Sequence, residues 1–89
     1  MKNFYVKMYR MQGNKLYNPC GMDYNYITKD LKTLRGLLNR IKSWSVPANV
    51  EKIEIYTFYD VYRDDSYKLV YTLNIPKEEG YYKNIAKYL

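Results

Sequence analysis

From Phe4 to Met11 the chain alternates, with Phe4, Val6 and Met8 on one side of an extended backbone and Tyr5, Lys7 and Tyr9 on the other. A repeat of two is what a strand with one buried face requires, so this segment is predicted as the first strand. Gln12-Gly13-Asn14-Lys15 follows, and its Gly-Asn pair suits a tight hairpin that Leu16-Tyr17 would leave as a short return strand. Asn18-Pro19-Cys20-Gly21 breaks the pattern, because proline lacks a donor and glycine favours turns. Residues 18 to 27 are therefore expected to form a loop.

Between Lys29 and Trp44 the repeat changes. Leu31, Leu34, Leu37, Leu38, Ile41 and Trp44 recur in steps of three and four, the spacing that gathers side chains on one side of a helix. Thr28 is the expected N-cap, Asp30 suits the dipole of the first turn, and Pro47 requires the helix to stop before it. At 100 degrees per residue Lys29, Lys32, Arg35, Arg40 and Lys42 lie opposite the leucines. The helix is expected to be apolar inside and basic outside.

Alternation returns at Ile53, Ile55, Thr57, Tyr59 and Val61, against Glu54, Tyr56, Phe58, Asp60 and Tyr62. After the polar Arg63-Asp64-Asp65-Ser66 it resumes through Tyr67, Leu69, Tyr71, Leu73 and Ile75, which predicts a long antiparallel hairpin ended by Pro76. Glu78 and Glu79 open an expected short C-terminal helix, with Tyr81, Ile85 and Leu89 on one face and Lys83 and Lys87 outside. The fold class expected is α+β: a small antiparallel sheet of three to four strands, one long amphipathic helix packed on one face, and a short C-terminal helix. Its second face would be open to water.

Composition bounds this picture. The 89 residues suit a single domain, 1–89, and a chain that is 47% hydrophobic and 27% charged, with four glycines and three prolines, is expected to fold. No apolar run approaches the roughly 20 residues that cross a bilayer, so no membrane partner and a cytoplasmic location are expected. Cys20 is the only cysteine; it can close no internal disulfide and is read as a small packing residue.

Thirteen tyrosines and a net charge of +6 change the picture more. Tyrosine offers a large rigid contact face with one hydroxyl, and positive charge draws acidic partners. The absence of histidine removes the commonest general base and zinc ligand, along with Ser-His-Asp and Cys-His arrangements. Asp60, Asp64 and Asp65 are the carboxylates that could pair, but Asp64 and Asp65 fall where a hairpin turn is expected, and no glycine-rich phosphate loop is present. The chain is accordingly expected to be no enzyme and to need neither cofactor nor metal.

Two sets of candidate binding residues remain. Lys29, Lys32, Arg35, Arg40 and Lys42 could follow a phosphate backbone or simply form a solvated helix face. Tyr5, Tyr9, Tyr56 and Tyr62 could form an aromatic platform or pack as cross-strand pairs. Lys, Asn, Tyr and Ile supply 38 of the 89 positions, a usage similar to small proteins of low-GC bacteria, their phages and mobile elements. The function expected is a non-catalytic binding protein of such origin that inhibits a host nucleic-acid-handling protein or ribonucleoprotein complex by occlusion, in the manner of anti-CRISPR or anti-restriction proteins. The alternative is direct nucleic-acid binding through the basic helix face and exposed tyrosines, and a homodimer through the tyrosine face is a third arrangement.

Overall fold

β1 (Asn3–Gln12) is the spine of the molecule, paired along both of its edges in a computed structural model that describes residues 3–19, 21 and 24–89. Cys20 and the expectation attached to it lie outside the described residues. One edge of β1 runs antiparallel to β5 (Val50–Phe58), from Asn3 opposite Phe58 to Arg10 opposite Val50. The other edge is shared end to end: β3 (Asn25–Thr28) pairs with Phe4 to Lys7, and β2 (Lys15–Tyr17) with Arg10 to Gln12. Gly13, at φ +64, supplies the left-handed conformation that turns β1 into β2. β6 (Lys68–Asn74) completes the five-stranded sheet beside β5. A second, two-stranded sheet joins β4 (Ser45–Pro47) to β7 (Tyr82–Asn84).

The expected α+β class is overturned, because the fold is mostly β, with 46% of the described residues in strands and 18% helical. The predicted helix over 29 to 44 contracts to α1 (Leu34–Ile41), eight residues long. Its start is displaced because Asn25–Thr28, expected as the end of a loop and an N-cap, is drawn into the ladder on β1, where its backbone groups find partners. Thr33 becomes the N-cap in place of Thr28: it is extended at φ −135 and ψ 151, and its hydroxyl accepts from the Gly36 N–H at 3.0 Å. At the other end Ser45–Pro47 is claimed by β7, so the helix stops at Ile41. Leu31 and Trp44 keep the spacing of the stripe and still pack on the core, but from the flanking loops.

The expected C-terminal helix is also replaced. Tyr82–Asn84 pairs with β4, and only a single 3₁₀ turn follows (Ile85–Tyr88), begun by the Asn84 carboxamide accepting from the Ala86 N–H at 2.8 Å. Lys83, placed outside by the helical reading, is buried. Its amine donates to the carbonyls of Val50 at 2.5 Å and Pro76 at 2.7 Å, tying the second sheet to the first. Both elements lose to pairing with a segment far away in sequence.

The core fills one face of the large sheet. Phe4, Val6 and Met8 of β1 and Ile53 and Ile55 of β5 point into it, Leu37 and Ile41 of α1 cover it, and Val46 and Ile85 bring in the second sheet. Full burial of each such side chain contributes about 1.5–3 kcal/mol. The helix and the small sheet therefore lie on the same side, and among the described residues the other face of β1 and β5 has no second layer. Among the described residues no helix is long and apolar enough to cross a membrane.

Candidate binding surface

The alternation that buries Phe4, Val6 and Met8 turns Tyr5, Lys7 and Tyr9 to the uncovered face, and the same rule turns Lys52, Glu54 and Tyr56 outward on β5. Register then decides what meets: Tyr5 stands opposite Tyr56, Lys7 opposite Glu54 and Tyr9 opposite Lys52. The Tyr5 and Tyr56 rings meet edge to face at 6.4 Å between centroids, and Tyr5 meets Tyr67 in the same manner at 5.7 Å. Tyr67 stacks in turn on Phe58 at 5.0 Å, closing that end of the face. These rings are half-buried by one another, so their orientation is set before any partner arrives.

Glu54 sits at the polar centre. It is 8% exposed, receives the Tyr56 hydroxyl at 3.0 Å and pairs with Lys52 at 3.4 Å. Burial pushes its carboxyl up, but hydrogen bonds from Tyr9 and Tyr56 and the Lys52 charge outweigh that and hold it below the usual carboxylate range. Burial, followed by the neighbouring Glu54 carboxylate, pushes the Tyr9 and Tyr56 hydroxyls up in return. Lys7 and Lys52 approach the Tyr9 ring at 5.4 and 5.5 Å, within cation–π range. Beside them Tyr5, Lys7, Tyr56, Asp64 and Tyr67 line a depression of about 340 Å³.

Of the four tyrosines named from the sequence, Tyr5, Tyr9 and Tyr56 share this face. Tyr62 does not: it stands 93% exposed in the loop after β5, because the strand ends at Phe58. In that loop Asp60 and Asp65 serve the turn. Asp60 Oδ1 accepts from the Tyr62 N–H at 3.0 Å, the Ser66 hydroxyl donates to the Asp60 carbonyl at 2.7 Å, and Asp65 pairs with Arg63 at 2.9 Å. Among the described residues no group of three acidic or cysteine side chains is placed to hold a metal ion.

The five basic residues do not form one stripe. Lys29 and Lys32 precede α1, Lys42 caps its end, and only Arg35 and Arg40 belong to it. Arg40 is clamped by Asp30 and also reaches the Tyr26 hydroxyl at 3.3 Å. The helix lies across the core from the tyrosine face, so one flat partner cannot touch both sets. Sequence reading missed Lys7, Lys52, Glu54 and Tyr67 as site residues. Alternation already put Lys7 beside Tyr5 and Tyr9, whereas Lys52 and Tyr67 join them only through the β1–β5 register and the path of the loop between β5 and β6.

Compared with protein-family models, with curated proteins and with solved structures, the chain matches none.

Proposed function

We propose that the chain is a non-catalytic binding protein that uses the uncovered face of β1 and β5 to occlude part of a partner protein's surface. The observation that carries this reading is the arrangement of Tyr5, Tyr56 and Tyr67 around a depression flanked by Lys7, on a face that no second layer of described residues covers. Rigid tyrosines that bury area at little entropic cost are the residues that dominate protein interfaces. Lysines beside them raise the association rate and fix orientation.

The charge pattern favours protein over nucleic acid as the partner. Glu54 and Asp64 are interspersed with Lys7 and Lys52, and the Lys52 charge is shared with Glu54, whereas a phosphate-tracking surface presents cations alone. The abundance of Lys, Asn, Tyr and Ile supports a phage or mobile-element origin and a host nucleic-acid-handling complex as the target. Absence of histidine and use of Asp60 and Asp65 in a turn support a role without catalysis.

The test is affinity capture from host extract with the wild-type chain, a Tyr5→Ala/Lys7→Glu variant and an Arg35→Glu control across the core. A stoichiometric protein complex is expected with wild type and control and should be lost with the sheet-face variant. Equal capture by the sheet-face variant, or recovery of nucleic acid alone, overturns the reading.

A further inference from the structure

On the covered side of the large sheet, away from the tyrosine face, Met8, Tyr24, Tyr26, Trp44, Pro47 and Tyr82 line a groove of about 530 Å³ between the two sheets. We propose that this groove binds a proline-rich segment of a partner protein in the polyproline II conformation, as a second site independent of the tyrosine face. Its volume falls within the roughly 300–1,000 Å³ of ligand sites. Tyr26 and Trp44 form one corner, with ring centroids 4.9 Å apart and planes at 82°, so a ligand seated there meets two perpendicular aromatic walls. Arg40 donates to the Tyr26 hydroxyl at 3.3 Å while Asp30 holds its guanidinium, which fixes that wall. Tyr81 and Tyr82 border the groove and are 90% and 70% exposed, an aromatic surface that the fold itself does not use.

Charge complementarity selects the occupant. Among the described residues none of the lining side chains is charged, and the chain as a whole carries +6. Among the described lining residues a quaternary ammonium would find aromatic faces but no carboxylate, in a repulsive field, and a phosphate would find no cation. The occupant is therefore uncharged where it touches the rings. Among the described residues the Trp44 indole N–H and the hydroxyls of Tyr24, Tyr81 and Tyr82 meet no hydrogen-bond partner, so the groove presents donors. A proline-rich chain is their complement: its carbonyls are unpaired, its prolines have no N–H to satisfy, and its extended helix is formed in advance, which lowers the ordering cost.

Trp44 is the only tryptophan, so its emission reports occupancy of the groove directly. The full chain is titrated with an oligoproline peptide, a glycine-serine peptide of equal length and a peptide carrying trimethyllysine. The expected result is a saturable change in Trp44 emission with oligoproline only. Tyr82→Ala, at an exposed position where the circular dichroism should match wild type, should weaken it by about tenfold or more. Tyr5→Ala on the opposite face should leave it unchanged. Absence of a saturable change with oligoproline, binding of the trimethyllysine peptide in its place, or unaltered affinity in Tyr82→Ala overturns the proposal.

Discussion

Arg40 is held by Asp30 through two parallel hydrogen bonds of 2.9 Å, Nη1 to Oδ1 and Nη2 to Oδ2, the fork geometry that suits a guanidinium and a carboxylate. The Arg40 bonds, followed by the Thr28 hydroxyl, hold the Asp30 carboxyl well below the usual carboxylate range, and Asp30 raises the guanidinium in turn. The pair joins the last turn of α1 to the segment after β3. Both partners face water, so salt screens the interaction. Asp30→Ala and Arg40→Ala should each lower the urea midpoint slightly, and the double variant should lose less than both losses combined. That coupling should shrink as ionic strength rises; coupling that ignores salt would show that packing, not charge, joins the two.

Leu37 and Ile55 are fully buried, whereas Leu34 keeps part of its surface in water. Leu37→Ala and Ile55→Ala should each cost about 2–5 kcal/mol by leaving cavities, and Leu34→Ala distinctly less. Chemical denaturation of the three variants gives the order. Equal losses at Leu34 and Leu37 would contradict the position of α1 on the core.

Glu54 makes stability depend on acid. Its folded carboxyl lies below the ordinary value of 4.5, so its contribution is complete above that pH and is lost as pH falls through the lower folded value. Asp30 and Glu78 are lowered too, which makes the informative quantity the difference between wild type and Glu54→Gln. The wild-type denaturation midpoint should fall more steeply than that of the variant below about pH 4.5. Parallel curves would remove Glu54 from the account.

The amine of Lys83 satisfies two carbonyls, at Val50 and Pro76. Lys83→Met keeps most of the stem but withdraws the donor, and should cost about 1–3 kcal/mol in thermal or chemical denaturation. Lys87→Met, an exposed position, serves as the comparison and should change little. A Lys83→Met protein as stable as wild type would mean that water replaces the amine at both carbonyls.

The long strands were legible because alternation is a local property. Phe4, Val6 and Met8 against Tyr5, Lys7 and Tyr9 could be sorted without knowing any partner, and so could Ile53 and Ile55 against Glu54 and Tyr56. The helix was overextended for an equally physical reason. Leu31 and Trp44 obey the spacing of three and four and do reach the core, but that spacing records burial on one side, and a loop that bends over the core meets the same condition.

Hydrophobic order along the chain determined which side chains of β1 and β5 face inward, and with it the existence of a tyrosine-bearing outer face. Composition determined the absence of histidine chemistry and the excess of positive charge. Tertiary structure alone decided that Asn25–Thr28 and Tyr82–Asn84 become strands, that Lys83 turns inward and that Lys52 and Tyr67 join Tyr5. Each of these depends on backbone groups or rings whose partners are distant in sequence. A segment of three or four residues has too weak a preference of its own to resist the pairing such partners offer.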